Sequence, residues 1–241
     1  MTYVQGFVCA VPTQAREAFR AHAQSAAEVF LEHGAQSVCE CWGDDVPDGK
    51  VTSFPMAVKA RPDETIVFSW MLWPSKQAHD TAMPKAFADP RLNPATNPMP
   101  FDGKRLIYGG FTPVFESGSA RRGGYVDGFV MAVPRSARDD FSDFCARYDP
   151  IFEEYGSNWI MEAWEEDVPT GESTDFRRAV QAGADEAVAF SFVQWPDKAM
   201  RDDGMRRVME DPRFAGLTMP FDGKRMIYGG FSPIAEVFDA E

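Results

Sequence analysis

The hydrophobic pattern along the chain changes period several times, and it runs through the same changes twice. From Tyr3 to Val11 the chain is rich in Val and Phe and alternates, which predicts a strand. Pro12-Thr13 opens a helix. Phe19, Ala23, Ala26 and Phe30 then fall at i, i+4, i+7 and i+11 on one face, and Gly34 ends it. Ser37 to Trp42 predicts a second strand. Asp44 to Lys50, which holds Pro47 and Gly49, must turn. Thr52 to Ala60 fits a short helix or a strand. Thr65 to Trp73 is a third strand, apolar on both faces. Ser75 caps a second helix that ends before Asp89-Pro90. Asp102-Gly103 is a hairpin-type turn signal, and Lys104 to Phe115 is the last strand.

The series then starts again. Tyr3-Val4-Gln5-Gly6-Phe7-Val8 returns as Tyr125-Val126-Asp127-Gly128-Phe129-Val130, an offset of 122. Met99 to Arg105 returns as Met219 to Arg225 at an offset of 120, so the second copy is two residues shorter in the loop after Arg91. Asp197 replaces Ser75 as the helix cap, and Pro150 falls inside the second copy's first helix, where a kink or restart is expected. The expected domains are 1–115 and 125–241, joined by a small, Gly-rich and polar linker, 116–124. Each reads β-α-β-β-α-β, the ferredoxin-like unit. A four-stranded sheet with helices on one face leaves its other face bare, and the doubly apolar third strand requires that face to be covered. The other copy supplies the cover. The predicted fold is α+β, with two ferredoxin-like β-α-β-β-α-β domains paired sheet to sheet as an intramolecular pseudo-dimeric α/β barrel.

Several runs carry a resemblance: Tyr-Val-x-Gly-Phe-Val, Glu40-x-Trp42-x-x-Asp45-Val46-Pro47, Phe68-Ser69-Trp70, and Phe-Asp-Gly-Lys-Arg-x-Ile-Tyr-Gly-Gly-Phe. In these the chain resembles the YbaA-like family of bacterial proteins, over nearly its whole length and twice. That resemblance implies the dimeric α/β-barrel superfamily, in which two ferredoxin-like domains pair their sheets. It implies no catalytic residues. Fusion of two copies would turn a homodimer interface into an intramolecular one, so the expected state is a monomer with an internal pseudo-dimer, open to further homo-oligomerisation.

Charge narrows the partners. The net charge is −13, and it is uneven: residues 1–120 hold 10 basic and 13 acidic groups, residues 121–241 hold 14 and 24. Nucleic-acid binding depends on cations that neutralise phosphates, so nucleic acid and anionic membrane are excluded as expected partners. The longest near-continuous apolar run, Ile66 to Trp73, is far short of a membrane span. Four Cys without a leader-like N-terminus point to reduced thiols in the cytoplasm.

Comparing the copies filters the chemistry. His22, His33 and His79 are replaced by Phe144, Tyr155 and Arg201, so two equivalent His-dependent sites are ruled out while a single one is not. Cys39 and Cys41 share a strand face but lack a second zinc-type element, and Met161 and Ala163 replace them, so they read as packing residues and no metal is expected. Asp44, Asp45, Glu166 and Asp167 read as turn residues. Lys104, Arg105, Lys224 and Arg225 read as solvated strand-end charges. Gly109-Gly110 and Gly229-Gly230 allow a bulge or a close backbone approach. No motif asks for a cofactor.

Glu40 and Glu162 stand out as carboxylates on otherwise apolar strand faces, where burial would raise their pKa. They are expected to point between the sheets beside Trp42 and Trp164. The candidate ligand-binding set is Glu40, Trp42, Ser69, Tyr108, Glu162, Trp164, Ser191 and Tyr228. The leading expectation is a small molecule held between the two sheets. The alternatives are a cofactor-poor oxygenase or isomerase-type enzyme, and an interaction or stress-related protein with a filled barrel and no ligand.

Overall fold

The computed structural model describes residues 1–238. The end of the second expected domain, residues 239–241, lies outside the described residues. Eight strands carry the fold: β1 (Tyr3–Pro12), β2 (Ser37–Asp45), β3 (Glu64–Trp73), β4 (Ile107–Gly118), β5 (Tyr125–Pro134), β6 (Trp159–Asp167), β7 (Glu186–Trp195) and β8 (Ile227–Phe238). All pairings are antiparallel, and the order β1-β3-β2-β8-β5-β7-β6-β4 closes on itself. The halves meet at two seams, β2 with β8 and β4 with β6, so no sheet edge is left open. The fold is therefore α+β with a closed eight-stranded antiparallel barrel.

The main helices lie outside it: α1 (Arg16–Glu32) and α3 (Lys76–Phe87) in the first half, α4 (Arg138–Tyr148), α5 (Pro150–Glu154) and α7 (Lys198–Glu210) in the second. The ambiguous 52–60 segment forms a four-residue helix, α2 (Phe54–Ala57), as its counterpart forms α6 (Phe176–Ala179). Ser75 and Asp197 accept from the backbone N–H three residues on, as expected of N-caps. Pro150 has no amide hydrogen to donate, and the second half's first helix breaks into α4 and α5 at Asp149.

The barrel interior is filled. Phe68 and Phe190, one from each half, stack with centroids 4.7 Å apart and planes 3° from parallel. Trp70 stacks on Phe192 at 4.0 Å, and Trp159 closes edge-on against Trp70 at 6.0 Å. Gly6 and Gly128 make room for this: a Cβ on Gly6 would lie 2.7 Å from the Phe190 ring, and one on Gly128 2.9 Å from Phe68. The space between the sheets that was expected to take a ligand is occupied by these rings, which corrects the expected location of a site.

Other expectations change for local reasons. Strand β4 continues through Glu116–Gly118 because it pairs with β6, so the first three residues of the expected linker are strand. Asp102-Gly103 opens a helical turn instead of a hairpin, with Asp102 capping the N–H of Lys104. That turn folds Arg105 onto the start of β3, where it donates to both oxygens of Glu64 at 2.6 and 2.7 Å. Arg225 grips Glu186 the same way. These two arginines are thus structural ion pairs, not solvated charges. Asp44 does not serve its own turn but crosses the seam, accepting from Tyr125 Oη and pairing with Lys198, both at 2.9 Å. The double glycines serve a close approach: a Cβ on Gly110 would lie 1.5 Å from Tyr3 Oη.

Candidate functional site

Strand alternation in β2 divides Cys39 and Cys41 from Val38, Glu40 and Trp42. The first pair faces the barrel interior, with sulfurs 3.5 Å apart, and all four cysteines are buried and free. Glu40 therefore faces outward, beneath the helices, and Glu162 does the same in β6. This overturns their expected direction. Alternation fixes which residues share a face, but with both faces apolar it cannot say which one meets the other half. The small Cys and Ala side chains are the ones that fit among the packed rings.

In the first half that outer face carries a cavity of about 570 Å³ between the sheet, α1, α3 and the 88–106 loop. Glu40 and Ser69 form its polar floor. They are cross-strand partners in the β2–β3 register, and Ser69 Oγ donates to Glu40 Oε2. Burial of the charged form raises the Glu40 pKa to about 7, against the opposing pull of the Ser69 hydrogen bond. Phe7, Phe19, Phe30, Phe101, Met71 and Met83 make most of the apolar wall. His22 enters from α1, where its Nδ1 is 2.7 Å from Asn97 Oδ1, and burial lowers its pKa. His79 enters from α3 and Gln5 from β1.

The second half has the same floor, with aromatic side chains at the matching helix positions. Ser191 Oγ donates to Glu162 Oε2, repeating the Glu40–Ser69 pair. Phe144 and Tyr148 stand where the first half has His22 and Ala26, and they pack on Phe221 and Phe214 with centroids 6.1 and 5.6 Å apart. Cys145 and Asp149 replace Ala23 and Ala27, and with Glu162 they place ligating atoms within 4.8 Å of one another. Burial raises the pKa of all three, so a metal bound there would first displace their protons.

The eight candidate residues thus separate. Glu40, Ser69 and Tyr108 line the cavity. Trp42 shares their face but packs on Phe19 in the helix–sheet core. Glu162 and Ser191 form a buried pair, Trp164 packs on Phe141, and Tyr228 is largely exposed. Gln5, His22 and His79 were missed as a group. The available signal was the presence of every His in one copy only.

The fold is that of an α+β protein built on a closed eight-stranded antiparallel barrel, with an outer-face cavity in its first half. The comparisons agree. The structure superposes on a "Putative monooxygenase" from Fusobacterium nucleatum with a TM-score of 0.63 at 9% identity, covering 99% of this chain and 95% of that one. An anthrone oxidase-like protein gives a TM-score of 0.58 at 11% identity, with coverages of 100% and 94%. At these identities the likeness concerns the fold. The chain belongs to the family described as "Protein of unknown function (DUF1428)", whose model matches residues 2–103 and again 124–223. It is similar to "Uncharacterized protein YbaA" of Escherichia coli strain K12, at 53% identity over 116 residues, which is 48% of this chain and 99% of that protein. Among the described residues no helix is long and apolar enough to cross a membrane.

Proposed function

We propose that this chain binds one small, mainly apolar molecule in the cavity of its first half. The carrying observation is the contrast at matching positions. One Glu–Ser pair opens onto a cavity of about 570 Å³, and its duplicate has Phe144 and Tyr148 where the first half has His22 and Ala26. An apolar pocket with a few convergent polar groups is the usual form of a small-molecule site. With its pKa near 7, the Glu40 carboxyl is shared between neutral and charged forms at neutral pH, so the site suits neutral molecules over anions.

A second reading, an enzyme that moves a proton through Glu40, is favoured by that same pKa, which suits general acid–base work near neutrality. The names of the fold neighbours agree with an oxygenase-type reaction but do not bear on these residues. We read the barrel as two ferredoxin-like units folded into a pseudo-dimer that needs no second chain, and we place it in a reducing cytoplasm on the strength of four free, buried cysteines.

The test uses N-phenyl-1-naphthylamine, an uncharged fluorescent probe. One equivalent should bind. Ala26→Tyr, which brings in the second half's residue, should weaken binding at least tenfold, whereas Glu162→Gln should leave it unchanged. Two equivalents per chain, or full affinity in Ala26→Tyr, would reject the reading.

A further inference from the structure

The two halves also differ at a network beside the cavity. In the second half Asp127 is fully used: it accepts from Trp195 Nε1 at 2.9 Å and from Arg201 Nη2 at 2.7 Å and Nε at 2.9 Å. The same three positions in the first half are Gln5, Trp73 and His79. There Gln5 Oε1, Trp73 Nε1 and His79 Nε2 are all buried and all without a partner. Buried polar atoms are almost always paired, so three orphans at one place mark something that belongs there. Gln5 and His79 both line the cavity.

The imidazole is held from several sides. Its Nδ1 lies 2.9 Å from Asp80 Oδ1, and Asp80 is itself tied to Lys76 Nζ at 2.8 Å. The Tyr3 and Trp73 rings flank it, with centroids 4.9 and 5.5 Å away. Facing a carboxylate, Nδ1 carries the hydrogen of the neutral ring, which leaves Nε2 as a bare acceptor. An incoming group must therefore donate to His79 Nε2 or Gln5 Oε1 and can accept from Trp73 Nε1. An ammonium has no lone pair for the indole N–H, and a carbonyl has no hydrogen for the imidazole. A hydroxyl has both.

The spacing sets the ligand's length. Gln5 pairs with Met71, and two residues along the sheet Phe7 pairs with Ser69, which pairs with Glu40. Two strand steps along and one strand across separate Gln5 from Ser69 by about 8 Å, and Glu40, a further strand across, lies about 12 Å away; the shorter separation matches two fused six-membered rings with a substituent at each end.

We propose that Gln5, Trp73 and His79 form a hydroxyl-recognising pole, and that the cavity takes a flat, uncharged, two-ring aromatic alcohol whose hydroxyl donates to His79 Nε2 and accepts from Trp73 Nε1. This rests on the cavity reading above and adds the class of ligand.

The probes are 6-methoxy-2-naphthol and 2,6-dimethoxynaphthalene. The naphthol should bind the parent protein at least tenfold tighter, because only it can satisfy the buried pole. His79→Leu and Gln5→Leu should each erase most of the preference, and Glu40→Gln should keep it. His79→Gln, which keeps an acceptor at that position, should retain the preference. Equal affinity of the two probes for the parent, as expected if water alone satisfies the pole, would overturn the proposal while leaving the cavity reading intact. So would a preference that survives both Leu variants. Failure of both probes to bind would overturn the cavity reading and this proposal with it.

Discussion

The two halves share a backbone plan and a Glu–Ser floor, and they differ in what stands above it. Where the first half has His22, Ala26 and Leu92, the second has Phe144, Tyr148 and Phe214. Where the first leaves Gln5, Trp73 and His79 with orphaned atoms, the second closes an Asp127–Trp195–Arg201 network. Duplication has thus left a cavity over one Glu–Ser pair and aromatic rings at the matching helix positions of the other half. The lesson is that a motif present in both copies need not mean two sites. The Glu–Ser pair survives in both, but the helix residues at positions 22 and 26 in one half and 144 and 148 in the other differ in side-chain volume.

The largest effect should come from breaking the closed network. Asp127 and Arg201 are both largely withdrawn from solvent, so Arg201→Ala leaves a buried carboxylate uncompensated and should cost about 3–5 kcal/mol in urea unfolding. Exchanging both members for the first half's pair, Asp127→Gln with Arg201→His, should cost clearly less. An equal loss in the double variant would mean that the ion pair does not distinguish the halves.

Opening the second half should have the next effect. Phe144→His with Tyr148→Ala exchanges one phenyl ring for a smaller imidazole and removes another ring, and should destabilise by about 2–4 kcal/mol. It should also add a second binding equivalent for N-phenyl-1-naphthylamine. Stability lost without a second equivalent would show that volume alone does not make the site.

The smallest effect is a pH dependence. The Glu40 pKa rises from 4.5 to about 7 on folding, and burial raises that of Glu162 as well. Between pH 4.5 and 7 the folded chain keeps protons that the unfolded chain has released. These groups therefore support stability most below pH 4.5 and lose that support as pH rises through the folded pKa. Glu40→Gln should raise the urea midpoint relative to the parent at pH 8 and do so progressively less towards pH 4.5. A difference that does not change with pH would place Glu40 in contact with water instead of in the cavity floor.

Much of the architecture was legible because it is local. Period changes located the strands, Ser75 and Asp197 announced their helices, and Pro150 announced the break at Asp149. The repeat exposed the duplication directly. Errors arose where a distant partner decides. Arg105 looked like a strand-end charge because Glu64 lies 41 residues away in sequence. Asp44 looked like a turn residue because Tyr125 and Lys198 come from the other half. Within the candidate site, Glu40 and Ser69 were recognisable as polar interruptions of apolar strands, and Gln5, His22 and His79 were not recognised as a group, since they come from three separate elements.

By itself the sequence determined two copies of one strand-and-helix pattern, the α+β class, and a carboxylate on the same strand of each. Those follow from periodicity, turn chemistry and repetition, all of which act between near neighbours or between aligned positions. Only the tertiary structure decided which face of β2 meets the other half, and hence that rings fill the barrel while Glu40 looks out beneath the helices. Alternation divides a strand's residues into two sets without saying which set is inward. That choice is made by how large rings and small side chains from both halves pack into one closed space.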